Sequence, residues 1–348
     1  MRIAILTFHN TNNYGAMLQA YALSQYFIKE GNAVYIVDYN PMFLIKKKYL
    51  KTSVITALKQ FVKYIILHNV KKKKEYLFHR FSKEHFNLIS IQDINSVDKI
   101  FIGSDQVLCT QLTNFDNIYA GAGFDNKKTA FYAASCGNIS NINQETIDYY
   151  KNNLYRFKNI SIREKKSCDY ISKLLNKDCE HVLDPTLLIS NDVFQSIHKL
   201  PDIKDYILVY DAVKPEIYDF AKSMALKEKR KLIAISCDIA IHNRKNLIQA
   251  ASIEEFLGYF ANAHMVISSS FHGCAIAISY KKKLVCVNTG QLSNRSLELL
   301  KLLGIEKNFY TIGSNEAINA TINYNLVYNK LEKYQERSKK FIEKCLKE

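Results

Sequence analysis

Short apolar segments and longer amphipathic ones alternate along this chain, and the alternation starts twice. Residues 2–6 read as a strand and 16–29 as a helix closed by Gly31, followed by a second strand over 33–38. Strand patterns recur at 99–102, 129–133, 160–162 and 181–183, with helical periodicity over 144–155 and 164–175. The series restarts with strands at 206–210, 231–235, 265–267 and 284–287, and helices at 215–226, 253–261, 271–280 and 296–303. Strands separated by helices form parallel sheets with right-handed crossovers. The expectation is therefore an α/β protein of two Rossmann-like domains, residues 1–195 and 196–325, joined within 191–205. Residues 326–348 form a charged amphipathic helix expected to pack back on the first domain. Two such sheets put their carboxyl edges on either side of one cleft, where ligands bind.

The chain's 348 residues suffice for two domains, and its 4 prolines and 11 glycines leave no room for a long flexible linker. No apolar run approaches the roughly 20 residues of a membrane helix. The apolar part of the first residues is too short for a secretory signal, so a cytoplasmic protein is expected. None of the eight cysteines forms the two-residue-gap pair of a zinc ribbon or redox motif. Reduced thiols and no metal site are expected.

The net charge of +15 is unevenly spread. Residues 46–83, within a basic helical insertion over 42–90, carry twelve Lys or Arg and one acid, Glu75. Between the lysine clusters, Val54, Leu58, Phe61, Val62 and Ile65 recur at helical spacing over 54–67. Such a helix can lie on an anionic membrane surface, here the inner face of the plasma membrane, or cover core and show water its lysines. Nucleic acid is not expected, because no recognised binding motif accompanies the charge.

Chemistry concentrates where strands hand over to helices. After the strand at 265–267 come Ser268, Ser269, Ser270, Phe271 and His272, then a small-residue helix. The first amides of that helix attract anions, and a histidine there can move protons beside one; the alternative is a histidine that packs the helix start. The first strand leads into Asn13-Tyr14-Gly15, where Asn13 either caps the helix or meets a ligand and Gly15 permits close backbone approach. Gly103-Ser104-Asp105 follows the strand at 99–102, so Asp105 can take a proton from a hydroxyl or tie its own turn. Ser135 follows the next strand, and Asp184 reads as a turn cap. Arg163 sits at a helix start, where the dipole disfavours a cation unless an anion lies between. Arg295 is a second arginine beside a helix start, in the other domain.

Taken together, residues 13–23, Gly103-Ser104-Asp105-Gln106-Val107, Tyr132-Ala133-Ala134-Ser135, Ser161-Ile162-Arg163-Glu164, Leu183-Asp184-Pro185-Thr186 and Ser270-Phe271-His272-Gly273 resemble the motifs of polysaccharide pyruvyl transferases, in family order. The resemblance implies a GT-B-like fold, that of two-domain glycosyltransferases. It also implies transfer of an enolpyruvyl unit from phosphoenolpyruvate to a saccharide, free or lipid-linked, as a pyruvate ketal. Phosphoenolpyruvate is then a co-substrate, and no cofactor is needed. His272 matches the family's histidine, while Ser270 stands where an arginine is usual; Leu108 replaces the usual tryptophan.

On this basis His272 is assigned the proton transfers, and Arg163 and Arg295, with Ser269 and Ser270, the donor. Asp105 is assigned, as base, to the acceptor, with Asn13, Tyr14, Gly15, Ser104 and Ser135 around it. Two alternatives stand beside this reading. One is a nucleotide-sugar glycosyltransferase with Glu254 or Glu255 as ribose partner, and the other is a non-catalytic saccharide-binding protein of the same pathway.

Overall fold

A computed structural model describes residues 1–41, 54–140, 142–210, 214–240, 244 and 246–348, without the side chains of 54–65. The first half contains β1 (Arg2–Leu6), α1 (Tyr14–Lys29), β2 (Ala33–Asp38), α2 (Val54–His85), β3 (Leu88–Ser90), β4 (Lys99–Ile102), β5 (Thr129–Ala134), α3 (Gln144–Leu154), β6 (Asn159–Ile162), α4 (Lys165–Leu175) and β7 (Glu180–His181). Its seven strands are all parallel, in the order β3-β2-β1-β4-β5-β6-β7.

The second half contains β8 (Tyr206–Tyr210), α5 (Pro215–Lys227), β9 (Leu232–Ile235), β10 (Leu247–Ile248), α6 (Ile253–Asn262), β11 (Ala263–Ser268), α7 (Phe271–Ser279), β12 (Lys283–Val287), α8 (Asn294–Leu303), β13 (Phe309–Tyr310) and α9 (Tyr324–Lys347). Six parallel strands form the second sheet, in the order β10-β9-β8-β11-β12-β13. Strands such as β4, β5 and β8 are buried throughout, as near-continuous apolar runs covered on both faces must be. The fold is thus α/β with two Rossmann-like sheets. In each, the order reverses beside the first strand, at β1/β4 and at β8/β11. A crevice opens outside the carboxyl ends at such a switch point, and the segments after β1, β4 and β11 are those that carry the motifs.

The two halves share one apolar core. Tyr14 opens α1, stacks on Phe256 of α6 with centroids 4.3 Å apart, and donates its hydroxyl to the Ala251 carbonyl at 3.0 Å. α9 begins on the second half, where the Tyr328 hydroxyl donates to the Ser279 carbonyl. It then crosses to the first half, where the Ser338 hydroxyl accepts from the Leu183 amide and Phe341 packs near Tyr132. The C-terminal helix therefore packs back as expected.

α2 runs through the lysine cluster to His85 rather than ending near 67. One lysine of that cluster is not on the surface. Lys74 is fully buried, its Nζ 2.5 Å from the Cys237 carbonyl and 4.8 Å from the Tyr14 ring centroid, and burial holds the ammonium below its ordinary pKa. Lys72, Lys73 and Lys83 are exposed. Lys46, Lys47, Lys48 and Lys51 lie outside the described residues, as do the side chains of Val54, Leu58, Phe61, Val62 and Ile65.

Candidate active site

The segment after β1 reaches α1 through Asn13, whose Oδ1 accepts from the amides of Gly15 at 2.9 Å and Ala16 at 3.2 Å. Asn13 is therefore the helix cap. Gly15 lies against the second half, and a Cβ there would sit 2.1 Å from Nδ1 of His272. Only glycine lets the two motifs approach so closely. Gly15→Ala is expected to displace the imidazole and lower turnover at least tenfold with the fold retained, since misplacing a reacting group by about 1 Å can cost a hundredfold. Steady-state rates beside an unchanged melting curve would show it, and an unaltered rate would remove the argument for the contact.

Behind β4, Gly103 adopts φ +116°, and a Cβ would meet the Tyr132 carbonyl oxygen at 2.3 Å. The chain then turns Asp105 (φ +62°) toward Arg163, which follows β6. Asp105 Oδ1 accepts from the Gln106 amide at 2.9 Å and faces Arg163 Nη2 at 3.6 Å. Arg163 Nε donates to Glu164 at 2.9 Å and Nη1 to Asp184 Oδ2 at 2.6 Å, while Phe271 covers the guanidinium, its centroid 4.7 Å from Cζ. Asp184 follows β7 and caps the single turn Pro185–Leu188, its Oδ1 accepting from the Thr186 amide and hydroxyl. Its Oδ2 also accepts from the Ser104 hydroxyl at 3.0 Å and lies 3.6 Å from His272 Nε2.

Asp184 thus stands between the imidazole and the guanidinium. Burial alone would raise its carboxyl, but His272, Arg163 and Thr186 more than reverse this and hold it well below the usual carboxylate range. Burial likewise works against the Arg163 cation, and Glu164, Asp184 and Asp105 together keep its pKa above the ordinary value. The anions at this helix start are protein carboxylates rather than a bound ligand. Arg163 is spent on three carboxylates and is not free to clamp a donor.

Arg295, in the first turn of α8, is the contrasting case. It is half-buried and makes no ion pair or hydrogen bond among the described residues. Burial and then the like charge of Arg163 lower its pKa, against weaker support from Glu164 and Asp105. Nearby, the buried atoms Arg163 Nη2, Glu164 Oε2 and His272 Nε2 lack hydrogen-bond partners. Folded proteins rarely leave such groups unpaired, and several in one place mark a site. A cavity of about 340 Å³ lies against Arg163, Asp184, Phe271 and Glu298, though His272, Glu164 and Arg295 do not line it.

Several expected ligand contacts are structural instead. Tyr14 is fully buried and bonded to Ala251, so it cannot touch an acceptor. Ser104 is fully buried between the Ala133 carbonyl and Asp184, and Ser135 donates to Glu164 at 2.7 Å. Ser270 is the N-cap of α7, its Oγ facing the Gly273 amide, and buried Ser269 offers its carbonyl to Ser296. Glu255 completes a capping box with Ser252, while Glu254 gives Oε1 to Arg80 at 3.1 Å and leaves its buried Oε2 without a hydrogen-bond partner. Asp184 and Glu164, conversely, were read only as a turn cap and a helix start. The signal available for Asp184 was a carboxylate directly after a short strand, at the same sheet edge as Asp105 and Arg163.

The sequence profile of a family described as "Polysaccharide pyruvyl transferase" matches residues 13–291. No curated protein matches the chain significantly. Among solved structures, the chain is similar to Staphylococcus aureus MnaA bound to UDP (10% identity, TM-score 0.48, covering 97% of this chain and 89% of that one). It is also similar to Methanocaldococcus jannaschii UDP-GlcNAc 2-epimerase in complex with UDP-GlcNAc and UDP (11%, 0.45, 96% and 93%). A third is Escherichia coli heptosyltransferase WaaC with ADP-2-deoxy-2-fluoro heptose (12%, 0.39, 96% and 99%).

Proposed function

Because the chain belongs to the polysaccharide pyruvyl transferase family, we propose that it moves an enolpyruvyl unit from phosphoenolpyruvate onto a saccharide of a cell-surface polysaccharide. The observation that carries this reading is the meeting of family motifs from distant parts of the chain. Gly15 touches His272, and Asp184 lies 2.6 Å from Arg163 and 3.6 Å from His272, with three buried polar atoms left unpaired beside them.

His272 delivers a proton to the donor methylene, which makes the central carbon electrophilic. Asp105 Oδ2, which makes no hydrogen bond among the described residues, takes the proton of the attacking hydroxyl. Phosphate leaves, and a second hydroxyl of the acceptor closes the ketal, its proton returning to the imidazole that gave one up in the first step. Asp184 holds a negative charge 3.6 Å from the imidazole nitrogen Nε2. Arg295 receives the donor's anionic end, because its fork binds two oxygens at once and no protein acid occupies it.

The test is phosphate release from phosphoenolpyruvate, expected only when an acceptor saccharide is present and matched by a pyruvyl ketal on the product. Thermal stabilisation by a nucleotide sugar and not by phosphoenolpyruvate would overturn the reading in favour of glycosyl transfer. Arg295→Gln is expected to weaken phosphoenolpyruvate binding about 10- to 100-fold, the scale of about 1.5–3 kcal/mol for a hydrogen bond to a charged group. Calorimetric titration measures this, and an unchanged Kd removes Arg295 from the donor site.

A further inference from the structure

Two thiols outside the reaction centre lie unusually close. Cys168, in the first turn of α4, and Cys179, one residue before β7, place their sulfurs 3.3 Å apart. The Cys168 thiol also faces the Cys179 carbonyl at 3.1 Å, and both cysteines are free. Cys168 is buried and Cys179 half-buried, so a small reagent can reach the pair while a large one meets Cys179 first. We infer that Cys168 and Cys179 form a redox-active pair that small peroxides close to an intrachain disulfide.

The surroundings divide the two roles. The contact with the Cys179 sulfur lowers the pKa of Cys168; burial opposes this, and the cations Lys165 and Arg337 add to it, with Asp169 acting the other way. The same contact, with burial, raises Cys179. Cys168 also lies in the first turn of α4, where a helix N-terminus favours a thiolate, so it is the thiolate that attacks and Cys179 the thiol that resolves. The Cys168 thiolate attacks one peroxide oxygen, the O–O bond breaks, and with one proton the products are a sulfenic acid and water. The Cys179 sulfur then displaces the sulfenic hydroxyl, which leaves as a second water with the Cys179 proton. Two thiols lose one electron each, and one peroxide is reduced to two waters. Closure asks the sulfurs to move from 3.3 Å to about 2.05 Å, a small local shift.

The shift falls on both flanks of Arg163. The Cys168 amide donates to the Glu164 carbonyl at 2.9 Å, and His181, two residues after Cys179, holds the Arg163 carbonyl through Nε2 at 3.1 Å.

The test treats the native protein with stoichiometric hydrogen peroxide, blocks residual thiols, and counts them after denaturation. The free thiols should fall from eight to six, and dithiothreitol should restore them. Peptide mapping of the wild-type protein should return one crosslinked species, Cys168–Cys179, two hydrogens lighter than the separate peptides. Cys168→Ser should keep all seven of its remaining thiols under the same treatment, whereas Cys179→Ser should lose one, as a sulfenic acid at Cys168 that dithiothreitol restores. A wild-type protein that keeps eight thiols overturns the inference. So does a map showing Cys274–Cys286 or another pair instead, or sulfinic acid at Cys168 without a crosslink.

Discussion

Arg163→Met is expected to destabilise the protein by about 3–5 kcal/mol, the usual cost of leaving buried charges without their counter-ion. The guanidinium is almost wholly buried and stands against Asp105, Glu164 and Asp184 at 3.6, 2.9 and 2.6 Å. Removing it leaves three carboxylates facing one another in a poorly solvated place, and His272 is the remaining group near enough to offset Asp184. Urea unfolding measures the loss as a lower midpoint. A midpoint equal to wild type would mean that the three acids are not held by this cation. Arg163→Lys should recover part of the loss only, because an ammonium keeps the charge but not the fork that meets Glu164 and Asp184 together.

His272→Ala is expected to lower turnover at least about a hundredfold, the scale of a lost acid–base group. That corresponds to about 2.7 kcal/mol on the barrier, since 1.36 kcal/mol is tenfold. The fold should survive, because Asp184 loses the imidazole but keeps Arg163, Ser104 and Thr186 as partners. Phosphoenolpyruvate affinity should change far less than turnover, because Arg295 and not the imidazole receives the anion. Full phosphate release by this variant would sink the assignment. Gly15→Ala should add less loss in the His272→Ala background than in the wild type, since the two closest clashing atoms belong to the imidazole already removed and only the residue 272 Cβ, at 2.9 Å, remains.

These two expectations separate what the motifs made visible from what they concealed. The alternation of apolar runs and helical segments carried both sheets, because parallel strands covered on both faces are apolar along their length. Edge strands of two or three residues, β3, β10 and β13, escaped, since so few positions carry no periodicity. The lysine run misled for a related reason: composition shows charge but not facing, and Lys74 turns its ammonium inward onto the Cys237 carbonyl and the Tyr14 ring. The serines misled differently. A hydroxyl after a strand serves a ligand or a neighbouring backbone group equally well in one dimension, and Ser104, Ser135 and Ser270 all serve the protein.

The sequence by itself determined the α/β class, the doubled strand–helix series and the sheet edge on which each motif lies, because these follow from periodicity within a few dozen neighbouring residues. Pairing across the fold was decided by tertiary structure alone. That Asp184 shares one oxygen between Arg163 and His272, that Arg163 is neutralised while Arg295 is not, and that Gly15 makes room for an imidazole far along the chain all depend on distances in space, along one sheet edge for Arg163 and its acids and between the two halves for His272 and Gly15. Electrostatic interaction falls off with separation in space and is blind to separation in sequence, so the charge state of the site became legible only in the folded chain.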